Sequence, residues 1–102
     1  MIHVIATVEV KAGKRDAFLT EFHRLVPQVR AEKGCIQYGP AIDVPTGIPV
    51  QSAIRDNVVL VIEQWESIEA LHAHLAAPHM QEYRGRVKDL VTSVQLQVLK
   101  PA

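Results

Sequence analysis

The chain has 102 residues, a length that fits a single domain with one hydrophobic core over residues 1–102. Eleven basic residues balance eleven acidic ones, so no strong electrostatic field attracts a nucleic acid or an anionic lipid surface, and we expect neither as a partner. The longest apolar run, Val58 to Ile62, is too short to span a bilayer, and Met1 leads into a strand-like pattern without a basic leader. Together these features favour a cytoplasmic location.

The first half of the chain contains a predicted strand, a helix and a second strand. From Ile2 to Val10 every even position is apolar, which indicates a strand with one core face. From Asp16 an apolar stripe with helical spacing follows: Phe18, Phe22, Leu25 and Val29. Pro27 lies inside this stripe, so we expect a kink there, and Gly34 is expected to end the helix. The second strand begins with Cys35 to Tyr38.

The second half of the chain begins with a long connection that runs from Pro40 to Arg55, and its length indicates a hairpin arm or a functional loop. Val58 to Trp65 is apolar on both faces, which is typical of a central strand covered on both sides. Ser67 is the expected N-cap of a helix that Pro78 interrupts. A further helical stripe and a last strand complete the chain, over residues 80–91 and 94–98.

This order of elements predicts the fold. Strand, helix, strand, strand, helix, strand is the βαββαβ pattern of a ferredoxin-like α+β fold, an antiparallel sheet with helices on one face. The opposite face then carries Ile5 and Thr7 together with one apolar face of the 58–65 strand. Since a sheet face this apolar should not stay wet, we expect a homodimer in which two copies pack these faces together and enclose a cavity.

Metal and nucleotide sites are not expected. His72 and His74 are two residues apart, which on a helix turns them about 200° away from each other. The single cysteine, Cys35, excludes an all-cysteine metal cage. The glycines are scattered and form no phosphate-binding loop, so we expect neither a metal nor an organic cofactor.

One stretch of the sequence resembles a known family. A Glu63-Gln64-Trp65 strand end, the Ser67 cap, an Ala-Leu pair and histidines at positions 74 and 79 resemble the signature of the antibiotic biosynthesis monooxygenase family. Residues 34–38 are similar to the family's Gly-x-x-x-Tyr start of the second strand. The resemblance implies a dimeric α+β barrel. Members with assigned activity oxygenate quinol-like or polycyclic phenolic substrates without metal or flavin, or cleave haem.

The resemblance, together with spacing, assigns roles to particular side chains. His74 is the expected base and Trp65 the expected cavity wall, which makes these two the catalytic candidates. The substrate-binding candidates are Thr7, Tyr38, Glu63, His79 and Tyr83. Structural roles remain alternatives: a core anchor for Trp65, a bond to a backbone carbonyl for His74, a structural hydrogen bond for Glu63, and a helix cap for His79.

Three functions follow as hypotheses. The first is a cofactor-independent monooxygenase that uses molecular oxygen to oxidise a small aromatic substrate, a quinol or polycyclic phenol, in an apolar cavity between sheet and helices. The second is haem degradation. The family's haem-cleaving members use an asparagine on the first strand, and Met1 to Val10 contains none, which counts against this function. The third is a non-catalytic small-molecule-binding or stress-related dimer.

Overall fold

Seven elements follow one another in the computed structural model, which describes all 102 residues. The strands are β1 (Ile2–Val10), β2 (Cys35–Ala41), β3 (Val58–Trp65) and β4 (Val91–Leu99). The helices are α1 (Arg15–Arg30), α2 (Ile68–Ala76) and α3 (Pro78–Val87). The ferredoxin-like α+β architecture expected from the sequence is confirmed. None of the helices has the length and apolar character that a membrane span requires.

The four strands form one antiparallel sheet in the order β2-β3-β1-β4, so β1 and β3 are the inner strands. Val4 lies opposite Glu63 of β3 and opposite Val98 of β4. Directly opposed residues share a face of the sheet, so even positions of β1 and odd positions of β3 face the helices. Nearly all of these side chains are buried. The core face predicted for β1 is therefore confirmed, and the structure adds the odd positions of β3 to it.

Helix α1 covers this face with the predicted stripe, and Phe18, Leu25 and Val29 are fully buried. The helix continues through Pro27 but ends at Arg30, earlier than expected. The chain then leaves the helix through a turn in which the Glu32 N–H bonds the Val29 carbonyl. Gly34 lies after this turn with φ of 85°, a left-handed conformation that favours glycine.

The second helical region is divided as predicted. The Ser67 hydroxyl accepts a hydrogen bond from the Ala70 N–H at 3.1 Å and caps α2. Pro78 is the first residue of α3, where its missing N–H costs nothing. The stripe expected to stay helical up to position 91 ends at Val87, and the last strand begins earlier than predicted. The reason is long-range pairing, because Val91 lies opposite Val10 of β1.

Between β2 and β3 lies a segment without helix or strand, residues 42–57, which we call the arm. Its two ends are joined by Arg55, whose guanidinium donates to both carboxylate oxygens of Asp43 at 2.8 and 2.9 Å. Arg15 of α1 donates to the Arg55 carbonyl at 3.2 Å. The arm also exposes apolar side chains to solvent: Ile42, Val44, Ile48, Val50 and Ile54.

Candidate functional site

A cavity of about 400 Å³ lies between the helix-facing side of the sheet and the helices. Twelve of its sixteen lining residues are hydrophobic. The sheet and all three helices contribute to its apolar walls. These walls include Ala6, Val8, Phe22, Val61, Leu75, Met80, Val87, Val91, Val94 and Leu96. Val94 of β4 is 59% exposed because no helix extends over this edge strand. The cavity therefore opens to solvent beside β4.

Polar side chains interrupt this apolar wall at a few points. Tyr38, Glu63, His74 and Tyr83 all line the cavity and all are buried. The structure thus brings together four residues that the sequence singled out, from β2, β3, α2 and α3. The exposed side chains of Arg84 and Lys88 add positive charge to the lining. An apolar cavity with a few convergent polar groups is the usual form of a small-molecule site.

His74 has one ring nitrogen bound and the other free. Its Nδ1 lies 2.9 Å from Oε2 of Glu32, so the alternative of a bond to a backbone carbonyl is not what the structure has. No buried side-chain nitrogen or oxygen lacks a hydrogen-bond partner, and Nε2 of His74 makes no hydrogen bond. Nε2 is therefore accessible from the cavity that His74 lines. The imidazole packs against the indole ring of Trp65, and the two ring centroids are 4.6 Å apart.

Burial lowers the pKa of His74, although the hydrogen bond and the charge of Glu32 act in the opposite direction. The ring is therefore neutral at pH 7. With Nδ1–H donated to Glu32, the lone pair is on Nε2, on the cavity side. This is the form of histidine that accepts a proton from a bound substrate.

His79 bonds the same carboxylate oxygen as His74. Its Nε2 lies 2.7 Å from Oε2 of Glu32, its side chain is 21% exposed, and it does not line the cavity. His79 therefore contacts Glu32, and its side chain does not reach a molecule bound in the cavity. This position differs from its predicted substrate-binding role. No group of three or more His, Cys, Asp or Glu side chains has an arrangement that could hold a metal ion.

Trp65 is placed differently from the prediction of a cavity wall. It is fully buried and absent from the cavity lining, and its ring packs against the ring of His74, which does line the cavity. Its indole N–H donates to Oε1 of Glu63 at 2.9 Å. Burial raises the pKa of Glu63 to about 7, even though the Trp65 hydrogen bond acts to lower it, and the nearby charge of Glu32 raises it further. Trp65 is thus a support for two cavity residues.

The two tyrosines are arranged around Phe22. The ring of Phe22 stacks on the ring of Tyr38, with centroids 5.5 Å apart, and meets the ring of Tyr83 edge-on, with centroids 5.9 Å apart. Burial raises the pKa of both phenols above its usual range, so both hydroxyls stay protonated and can donate hydrogen bonds. Neither hydroxyl has a partner within the protein, and both side chains line the cavity. They are candidates to bind a substrate oxygen.

Thr7 does not share the cavity with these residues. It is the odd-numbered neighbour of Ala6 and Val8, which face the helices, and successive side chains of a strand point to opposite faces. Thr7 therefore lies on the outer face of the sheet, opposite Leu60 of β3. Its predicted contact with a substrate inside this cavity is not compatible with that position.

Glu32 is the site residue that sequence reasoning missed. It lies in the turn after α1, at the negative end of the helix dipole, where a carboxylate is unfavourable without a compensating partner. That position was the only available signal, because its partners His74 and His79 are 42 and 47 residues further along the chain. Neither partner could be assigned to Glu32 without the tertiary structure.

The fold and the cavity together define a ferredoxin-like α+β protein with an apolar small-molecule site between its sheet and its helices. Residues 1–86 match the family described as antibiotic biosynthesis monooxygenase, and the chain belongs to this family. The probable quinol monooxygenase YgiN of Escherichia coli (strain K12) is 42% identical over 103 residues, which cover 99% of this chain and 98% of the relative. These matches support a monooxygenase.

Solved structures agree with the fold. The crystal structure of PA3566 from Pseudomonas aeruginosa has a TM-score of 0.80 and 27% identity, and the match covers 99% of this chain and 93% of that one. The structure of Rv0793 from Mycobacterium tuberculosis has a TM-score of 0.80 and 26% identity, with 99% and 94% covered. The architecture is therefore shared over almost the full length of each chain.

Proposed function

We propose that the protein is a cofactor-independent monooxygenase that oxidises a quinol or polycyclic phenol in the cavity between sheet and helices. The observation that carries this proposal is the state of His74, a buried neutral imidazole with its free Nε2 accessible from an apolar cavity. The name of the E. coli relative supports the choice of a quinol. The low polarity of the walls suits an aromatic ring.

The reaction begins with proton transfer. His74 Nε2 takes the proton of a phenolic hydroxyl, and the resulting imidazolium is stabilised by Glu32 at Nδ1. The phenolate is more electron-rich than the phenol and gives an electron to oxygen more readily. The apolar walls keep water away from the reacting ring.

The overall reaction balances with substrate and oxygen alone. A quinol and one O₂ give a hydroxyquinone and one water: one oxygen atom is inserted at a ring carbon, and the other is reduced to water. All four electrons come from the substrate, which loses two hydrogens and gains one oxygen. The scheme therefore requires neither a metal nor a flavin.

The remaining polar groups position the substrate. The Tyr38 and Tyr83 hydroxyls are protonated and donate to the substrate oxygens. Glu63, with a pKa raised to about 7, can accept from or donate to the second hydroxyl of a quinol. The imidazole of His74 thus accepts the proton of one quinol hydroxyl, and the carboxyl of Glu63 forms a hydrogen bond with the other.

We also propose that the functional unit is a homodimer in which two copies pack the outer faces of their sheets together. This face carries the apolar side chains of Ile5, Leu60 and Ile62, and Ile5 lies directly opposite Ile62 in the sheet. Ile5 is 36% exposed in the single chain. Burial of such a face against its twofold copy would remove it from water.

Oxygen consumption tests the proposed reaction. Chelator-treated protein is given a panel of reduced quinols and polycyclic phenols, and His74→Ala is compared with His72→Ala, a control on the exposed side of α2. We expect uptake that survives chelation, falls about a hundredfold in His74→Ala, and is unchanged in His72→Ala.

Other outcomes would contradict parts of this proposal. Uptake that chelation abolishes would overturn the cofactor-independent mechanism, and equal rates in wild type and His74→Ala would overturn the base. No uptake with any substrate would favour the non-catalytic binding dimer. A tight complex on haem titration would favour haem degradation instead.

A further inference from the structure

One oxygen atom of Glu32 is shared by two histidines from different helices. Oε2 lies 2.9 Å from Nδ1 of His74 in α2 and 2.7 Å from Nε2 of His79 in α3. The His74 side chain is 2% exposed, whereas that of His79 is 21% exposed. The same carboxylate thus connects an imidazole that lines the cavity with one that reaches solvent.

A shared acceptor couples the two imidazoles. A carboxylate stabilises a proton on a neighbouring imidazole through its charge and its hydrogen bond. When His79 carries an extra proton, its positive charge offsets the carboxylate, and less of that stabilisation is available to His74. The proton affinity of His74 then depends on the charge that His79 carries.

We propose that Glu32 and His79 are positioning residues that set the tautomer and the base strength of His74; this inference rests on the proposed function. Glu32 holds the proton of neutral His74 on Nδ1, which leaves the lone pair of Nε2 toward the cavity. His79 determines how much of the carboxylate charge supports the imidazolium that forms on His74 during proton transfer. Neither residue touches the substrate.

Other charged and titratable groups surround the cluster, but none forms a hydrogen bond with Glu32. Positive charge on His79 and on Arg84 of α3 acts to lower the pKa of His74, in addition to its burial. The other charged or titratable groups that act in this region are Glu63 of β3, Cys35 and Tyr38 of β2, Arg30 of α1 and Tyr83 of α3. Glu32 is therefore the only group that both contacts His74 and opposes the effect of burial.

The first test follows the ring Cε1–H signal of His74 by NMR across pH, in wild type, Glu32→Gln, His79→Ala and the double variant. We expect Glu32→Gln to lower the pKa of His74, because the carboxylate charge is lost. We expect His79→Ala to raise it, because a competing positive charge is lost. In the Glu32→Gln background the effect of His79→Ala should shrink, since the shared acceptor is gone.

The second test is kinetic. In Glu32→Gln we expect kcat for oxygen uptake to fall about tenfold or more, with KM nearly unchanged, because the residue acts on the base and does not contact the substrate. The acidic limb of the pH profile of kcat/KM should move to lower pH in Glu32→Gln and to higher pH in His79→Ala. A purely structural role would not move the two variants in opposite directions.

Matched controls are Glu21→Gln, a carboxylate of α1 that pairs with Arg24 and Arg86 outside the cavity lining, and His72→Ala on the exposed side of α2. Neither should shift the His74 titration. His79→Ala changes a partly exposed side chain and tests the coupling even where Glu32→Gln fails to fold. An unchanged His74 titration in His79→Ala, or an equal effect of His79→Ala with and without Glu32, would overturn the inference.

The two tests separate this inference from the proposed function. The NMR titration requires no turnover, so it decides the coupling even when no substrate is oxidised. An active wild type whose His74 titration ignores Glu32 and His79 would overturn the inference alone. An inactive wild type with the expected titration shifts would overturn the proposed function alone, and would still support the effect of Glu32 and His79 on His74.

Discussion

Trp65 donates its indole N–H to Oε1 of Glu63 at 2.9 Å, and the two residues lie two positions apart on the core face of β3. Residues two apart in a strand point the same way, so this contact is built into the strand itself. It satisfies the only polar atom of a fully buried indole and one of the two oxygens of a buried carboxyl. The tryptophan therefore acts on the cavity through Glu63 and His74.

Trp65→Phe should test this support directly. The change removes the donor to Glu63 and leaves unfilled space beneath His74, so we expect the free energy of unfolding to fall by roughly 2 kcal/mol. Urea unfolding at pH 7 measures the loss. In the Glu63→Ala background the hydrogen-bond part of the loss should disappear. Equal losses in both backgrounds would show that packing alone accounts for the effect.

Glu63→Gln should change how stability depends on pH. Burial raises the pKa of Glu63 from 4.5 to about 7, so between these values the unfolded chain is ionised while the folded chain keeps its proton. The stability contributed by the protonated carboxyl is complete below about pH 4.5 and is lost as pH rises through 7. Relative to Glu63→Gln, wild type should therefore lose on the order of 3 kcal/mol across this window.

Urea unfolding of wild type and Glu63→Gln at several pH values between 4 and 8 provides the comparison. The difference between the two proteins cancels the opposing contribution of His74, whose pKa is lowered by burial. Glu82→Gln, a change at an exposed carboxylate of α3, controls for the general effect of charge. A constant difference between wild type and Glu63→Gln across this range would contradict a buried proton on Glu63.

The sequence predicted those features that depend on local periodicity. The alternation of Val4, Ala6 and Val8 identified the core face of β1, and the Ser67 cap identified the start of α2. Both depend on residues close together in the chain. The same parity places Thr7 with Ile5 on the outer face, so its assignment to the cavity conflicted with the pattern already visible in β1. The core face of β3 stayed open, because both of its faces are largely apolar.

The features that the sequence did not reveal depend on contacts between distant residues. Glu32 has no periodic pattern that distinguishes it, and its role appears only when the turn after α1 lies against α2 and α3. Trp65 was expected as a cavity wall, but the structure packs it against His74 and leaves it out of the cavity lining. The end of α3 was predicted too late because pairing of Val91 with Val10 overrides its helical spacing.

Ile5→Lys should test the proposed dimer. The side chain lies on the outer face of the sheet and is 36% exposed, so a lysine there can reach water in a single chain but would be buried in the proposed interface. We expect wild type at micromolar concentration to sediment as a dimer and Ile5→Lys as a folded monomer. Gln81→Lys, on the exposed side of α3, is the charge-matched control and should remain dimeric. A monomeric wild type would exclude packing of this face against its copy.

Gly34→Ala should both destabilise the protein and disturb the site. Gly34 has φ of 85°, and an added Cβ would lie 2.6 Å from Cβ of Ala70 in α2. The Gly34 carbonyl also accepts from the Glu66 N–H at 2.8 Å, which ties the turn that carries Glu32 to the start of α2. Displacement of this turn would therefore weaken the contact between Glu32 and His74.

Gly13→Ala is the matched control for Gly34→Ala. Gly13 has a similar φ of 77°, but an added Cβ there meets nothing within 4 Å. Both variants should lose roughly 1 kcal/mol for the strained backbone, and Gly34→Ala should lose about 1–3 kcal/mol more for the steric conflict. Urea unfolding measures the two losses, and the NMR titration of His74 should change only in Gly34→Ala. Equal losses would mean that the turn and α2 can separate freely, and that Gly34 does not hold Glu32 against His74.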